Sequence, residues 1–146
     1  MTEIGFYHLT RSTLEQALPR LLGRVLAIPE RALVLCASEE RMKSLDDTLW
    51  TTPEPAWLPH GTRDGAEQPI FLTLTDAPPP NGAQHLFLTE GTRSEHLADY
   101  ARAFDLFDGS DEASVIAART RWTAAKAAGH TLAYWQQTEK GWEKKA

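Results

Sequence analysis

Hydrophobic positions along the chain alternate between two periods, and that alternation predicts its elements. Ile4 to Leu9 reads as a first strand, with Phe6 and Tyr7 supplying β-favouring bulk. Ser12 and Glu15 form a capping-box pattern, after which Leu14, Ala17, Leu18, Leu21, Leu22 and Val25 recur on one helical face. Pro19 interrupts that face and is expected to bend or split the helix, because it removes a backbone donor. Ala32 to Ala37 is a continuous apolar run, as expected of a strand buried on both sides. Ser38, Glu39 and Glu40 then open a second helix with an inward stripe of Met42, Leu45 and Leu49, stopped by Pro53.

Trp57 to Gly61 reads as an ordered loop. Pro69 to Leu74 and Gln84 to Thr89 read as two more strands, separated by the loop Asp76-Ala-Pro-Pro-Pro-Asn-Gly82. For residues 94–107 two readings stand: a turn around Leu97 to Tyr100 followed by a strand from Ala103 to Phe107, or one helix. Asp111 to Ala128 is a helix with acids first, Lys126 in its last turn and Gly129 as its stop. Strands alternating with helices predict an open α/β sheet, mostly parallel, with helices on both faces.

The length of 146 residues suits one domain, residues 1–146, and the 42% apolar and 24% charged content is that of an ordinary globular chain. The longest apolar run falls far short of the about 20 residues that span a membrane. The opening MTEIGFYHLTR has no basic start or apolar core of a secretory signal. With a single cysteine, Cys36, the expected compartment is the cytoplasm, with no membrane association.

The formal charge is −5, which argues against a protein that lives by gripping phosphate backbones. Its distribution changes the picture. From Arg119 onward six Lys and Arg stand against two Glu, which leaves nine basic and eighteen acidic residues before that point. A basic end on an acidic body suits a local anionic ligand better than a long nucleic-acid track; a solvated basic tail is the plainer alternative.

The chain shows no catalytic constellation. The turn Leu9-Thr10-Arg11-Ser12 contains no glycine where the dinucleotide fold carries G-x-G-x-x-G. The histidines His8, His60, His85, His96 and His130 are scattered without metal-ligand spacing, so neither metal nor cofactor is expected. Cys36 lies in the most apolar strand, where a thiol behaves as a small hydrophobe. His60 has no nucleophile or orienting acid beside it in sequence and is read as fixing its loop through hydrogen bonds.

What stands out is tryptophan, at Trp50, Trp57, Trp122, Trp135 and Trp142. Trp122 sits three residues after Arg119 and four before Lys126, so the three share a helix face. Two cations beside a flat apolar wall match a peptide with acidic residues and a terminal carboxylate.

Several stretches, in order, resemble the chi subunit family of bacterial DNA polymerase III. They are Phe6-Tyr7-His8-Leu9, Ser44-Leu-Asp-Asp-Thr-Leu-Trp50, Ala56-Trp-Leu-Pro-His-Gly61, Pro69-Ile-Phe-Leu-Thr-Leu74, His85-Leu-Phe-Leu88, Phe104-Asp-Leu-Phe-Asp108 and the run from Ala117 to Gly129. The resemblance implies a single-domain Rossmann-like fold without the nucleotide-binding glycine motif. It implies a non-catalytic accessory subunit that meets DNA only indirectly. Two partners follow from it: the acidic C-terminal tail of single-stranded-DNA-binding protein and the psi subunit of the clamp loader.

By the same resemblance, Arg119 and Trp122 match the tail site and Trp50 belongs to it; Lys126 joins them through its place on the same helix face. Trp57 and Leu58 match a surface facing psi. Val115 stands where some relatives carry a lysine, and residues from about 135 to 146 form a basic extension with no assigned partner. A small nucleotide-dependent enzyme on the same fold is the alternative. A direct single-strand binder is a third reading, for which only the C-terminal helix supplies both cations and aromatics.

Overall fold

The computed structural model describes residues 2–28, 30–52 and 58–146. In chain order they form β1 (Glu3–Leu9), α1 (Leu14–Ala27), β2 (Ala32–Leu35), α2 (Glu39–Thr51), β3 (His60–Gly61), β4 (Ile70–Thr73), β5 (His85–Thr89), β6 (Arg102–Asp108), α3 (Glu112–Ala127), β7 (Thr131–Thr138) and β8 (Gly141–Lys144). The strands build one sheet in the order β3-β4-β2-β5-β6-β1-β7-β8. Strands β1 to β7 run parallel, and β8 returns antiparallel to β7. This is the open, mostly parallel Rossmann-like sheet that the alternation of periods predicts.

Alternate side chains of each strand feed two cores. On one face Val34, Phe87, Phe104 and Leu106 meet Leu18 and Leu22 of α1 and Leu45 and Leu49 of α2. On the other, Ile4, Phe6, Leu88 and Phe107 meet Ala118 and Trp122 of α3. Every residue of β2 and β5 is buried, which is why β2 reads as an unbroken apolar run and β5 carries Leu86, Phe87 and Leu88 at its centre.

Four local expectations are settled by the structure. The α1 cap falls one residue later than the sequence pattern suggests: the Thr13 amide donates to Gln16 Oε1 at 3.0 Å. The carboxylate of Glu15 is drawn away to Arg41 of α2. Pro19 is buried in a helix that runs unbroken from Leu14 to Ala27, so it does not split α1. Residues 97–99 form a short 3-10 turn ahead of β6, which excludes the single helix over 94–107. Residues 135–146, expected as a basic extension, belong to the sheet: they carry the second half of β7 and all of β8, its last two strands.

Helix α3 has a thin apolar face, with Ala118 and Arg121 as its only fully buried residues. Arg121 is held by Asp105, which points from β6 toward α3. Nε donates to Oδ2 at 2.7 Å and a terminal nitrogen donates to Oδ1 at 2.9 Å. Both side chains are over nine-tenths buried. Burial pushes the Asp105 carboxyl above its ordinary value, and Arg121 pulls in the opposite direction.

Such a pair costs desolvation to form and is expensive to break. Asp105→Ala strands the arginine and is expected to cost about 3–5 kcal/mol in chemical denaturation. Replacing both partners together, Asp105→Leu with Arg121→Met, is expected to cost far less. A loss below about 1 kcal/mol for Asp105→Ala would show that α3 is held by other contacts.

Candidate functional site

Asp111 caps α3 by accepting from the Ser114 amide at 3.2 Å, and Gly129, at φ 86°, ends the helix in the left-handed region. With Arg121 turned into the protein, its neighbours two before and one after flank the buried seam. Val115, Ala118, Arg119 and Trp122 join Phe107 of β6 and Tyr134 of β7 around a shallow pocket of about 250 Å³, closed at one side by Ala146.

Trp122 is the half-buried wall of this pocket. It lies edge-on to Phe6 at 5.3 Å and to Tyr134 at 6.0 Å between ring centroids. The Tyr134 hydroxyl is hydrogen-bonded to His8 Nδ1 at 2.5 Å, which fixes the ring. Burial raises the Tyr134 pKa, and the nearby positive charge of Arg119 works against that rise. Arg119 itself is exposed at the rim. Among the described residues no acid pairs with Arg119, which stands beside an apolar recess, the geometry that receives a carboxylate next to an apolar side chain.

The other expected site residues are placed differently. Lys126 is exposed further along α3 and does not line the pocket. Trp50 is separated from it altogether. Its indole, 59% exposed, rests on His60 at 4.4 Å. That contact lies where α2 meets the β3 edge, across the sheet from α3 and at its other end. Leu58 is 4% exposed and belongs to the core beneath α2, so its side chain does not face a partner. Trp57 lies outside the described residues. His60 is bound to its loop and to α2: Nδ1 contacts the Leu58 carbonyl at 2.6 Å and Nε2 contacts Asp46 Oδ1 at 3.1 Å.

A second hollow, of about 420 Å³, opens at the carboxyl ends of β1 and β6, where open α/β sheets commonly hold ligands. Here the β1–α1 turn is already occupied from within. The amides of Thr10, Arg11 and Ser12 all donate to Gln137 Oε1, at 3.0, 2.9 and 3.1 Å. Gln137 Nε2 donates in turn to Ser12 Oγ at 2.6 Å. Three consecutive amides converging on one oxygen form a small anion nest, and the side-chain carbonyl of β7 fills it.

Both arginines of this hollow are likewise engaged. Arg121 is bound to Asp105, and Arg41 is clamped between Glu15 and Glu90, with Nε 2.8 Å from Glu90 Oε1. Burial would raise the Glu15 carboxyl, but its bonds to Arg41 outweigh that and hold it below the usual range. Among the described residues no group of three or more His, Cys, Asp or Glu converges as metal ligands would.

Phe107, Tyr134 and Gln137 were not singled out from the sequence as site residues. Phe107 hides within an ordinary strand pattern. The other two lie in β7, whose residues after Thr131 are all half-buried without the alternation that marks a strand.

A Rossmann-like protein with an internally filled phosphate turn and an arginine–tryptophan pocket on its last helix is thus defined. The family described as DNA polymerase III chi subunit, HolC, matches residues 1–133, and this chain belongs to that family. It is 25% identical over 110 residues to the probable DNA polymerase III subunit chi of Rickettsia prowazekii (strain Madrid E). That alignment covers 71% of this chain and 66% of the relative, just under two thirds of the relative's length. Chi subunits are accessory subunits of the polymerase. Among the described residues no helix is long and apolar enough to cross a membrane.

Cys36 is buried, and burial, followed by the charge of Glu90, pushes its thiol up to about 12. The reactive thiolate is therefore scarce at neutral pH. Native protein is expected to resist a thiol reagent at pH 7.5 for hours and to react once denatured. Full labelling of the native protein within minutes would contradict this placement of Cys36.

Proposed function

We propose that this chain is a non-catalytic adaptor of the DNA polymerase III holoenzyme, acting in the cytoplasm. It takes the acidic C-terminal tail of single-stranded-DNA-binding protein at the Arg119–Trp122 pocket and reaches the clamp loader through psi. The observation that carries this reading is Arg119, exposed and unpaired by any acid among the described residues, at the rim of a recess walled by Trp122, Val115 and Phe107.

An acidic tail ending in a hydrophobic residue supplies both halves of the match. Its carboxylates pair with Arg119, with Lys126 as a second cation further along the helix, and its last side chain enters the recess. Trp50 takes no part in this pocket. Its exposed indole lies beside the loop that carries Leu58, and it belongs with a psi-facing surface at that end of the molecule. The engaged turn and the paired arginines at the strand ends favour a protein that works by binding over a nucleotide-dependent enzyme.

Titrating a fluorescent acidic tail peptide with the protein tests this site by anisotropy. Arg119→Ala is expected to weaken binding about thirtyfold at low salt, corresponding to about 2 kcal/mol for an anchor residue. The deficit is expected to shrink as salt rises, because part of the lost interaction is electrostatic. Equal affinity of Arg119→Ala and wild type would overturn the assignment.

A further inference from the structure

The opposite flank of the sheet holds a groove that the adaptor reading leaves unused. It runs between α1 and the β7–β8 hairpin. Two hollows, of about 570 and 260 Å³, adjoin one another and share Leu21, Arg24 and Trp142 in their linings.

Four arginines border this groove. Arg11 stands in the β1–α1 turn, Arg20 and Arg24 on exposed positions of α1, and Arg102 at the start of β6. Arg20 and Arg24 are one helical turn apart, a rise of about 6 Å. Arg11 meets Glu139 only at 3.6 Å, with both side chains mostly exposed, a pair of little strength in water. No ion pair engages Arg20, Arg24 or Arg102 among the described residues. Among the described residues Glu139 is the only acid that lines either hollow.

The floor is aromatic. Trp135 lies nearly parallel to Tyr7, with 12° between planes, and Trp142 stands edge-on to Tyr7 at 5.0 Å. Arg102 sits over the ring of Phe104, 5.1 Å from its centroid. At the inner end His85 is held by Glu30 through Nε2 at 2.9 Å, while its buried Nδ1 has no hydrogen-bond partner.

We propose that this groove binds a short stretch of single-stranded nucleic acid. Arg11, Arg20, Arg24 and Arg102 hold successive phosphates, and the indoles of Trp135 and Trp142 offer faces to its bases. The cations are all arginine, whose planar fork suits phosphate oxygens. They are distributed over both hollows, Arg11 and Arg20 in one, Arg102 in the other and Arg24 in both, as a repeating anion requires, with Trp135 and Trp142 beside them, as a strand carrying one flat base per charge requires. A duplex turns its bases inward and leaves the indoles without partners. An acidic peptide has the charges but not the rings. The whole-chain charge of −5 conceals this feature, because Arg102 joins Arg11, Arg20 and Arg24 only through the fold.

The test is anisotropy of a fluorescent oligothymidylate about twelve nucleotides long, over about 20–200 mM salt. The proteins compared are wild type, the double variant Arg20→Ala/Arg24→Ala and Arg119→Ala, each checked for an unchanged melting temperature. Wild type is expected to bind saturably with quenching of tryptophan emission. Four phosphate contacts give a log–log salt slope of about −3, at about 0.7 per contact for a single strand. The double variant is expected to bind at least tenfold more weakly with about half that slope, and Arg119→Ala to bind as wild type does.

No binding at the lowest salt, or undiminished binding by the double variant, would overturn the proposal. So would an acidic peptide that depends on Arg20 and Arg24 while the oligonucleotide does not bind, since the groove would then be a protein dock. The Arg119 control keeps this outcome separate from that of the tail site.

Discussion

The ion pair between Asp105 and Arg121 fixes how the last helix sits, and the surface proposed to act depends on it. Helix α3 is rich in alanine and buries fully only Ala118 and Arg121. Apolar contact alone leaves such a helix free to roll on the sheet. A bidentate bond from a central strand to a single arginine removes that freedom, because both donors and both acceptors are satisfied in one orientation only. Its net contribution to stability is small after desolvation, so its role is to specify the orientation of the helix. Arg119 and Trp122, on either side of the anchored residue, inherit their directions from it.

The same economy of polar groups explains what the strand ends do. A parallel α/β sheet directs backbone amides and helix N-termini toward the carboxyl edge, where an anion is welcome. In this chain Gln137 reaches across from β7 and gives those amides an oxygen of the protein's own. Arg41 joins α2 to Glu15 of α1 and to Glu90 after β5. The edge that would hold a nucleotide thus ties loops and helices together, and the groups still free for partners lie on helix flanks and at sheet margins.

Much of this was legible along the chain, and the rest was hidden for identifiable reasons. Strand β2 announces itself because burial on both faces demands an unbroken apolar run, and Ser38 does cap α2 by accepting from the Arg41 amide at 3.1 Å. The pairing of Arg119 with Trp122 follows from helical spacing alone. Trp50 could not be placed that way, since its distance from α3 is set by the sheet order. Strands β7 and β8 escaped because their exposure does not alternate, and because the two-residue turn Glu139-Lys140 lacks the Asn-Gly or Asp-Gly signal of a tight hairpin. With them went Tyr134, Gln137 and the whole α1 groove. Asp105 did leave a trace, as a lone acid inside an apolar strand, which calls for a buried partner.

The central claim, that the recess beside Arg119 is where the acidic tail docks, is tested most directly by following the five tryptophan indole N–H signals in a nitrogen-15 spectrum as tail peptide is added. Among the described tryptophans Trp122 alone forms a wall of the recess, while Trp50 lies on His60 at the far end of the sheet and Trp135 and Trp142 face the α1 groove. The account predicts a saturable shift of the Trp122 signal with those of Trp50, Trp135 and Trp142 nearly still. A still Trp122 with movement at Trp50, or at Trp135 and Trp142, would place the tail elsewhere and contradict it.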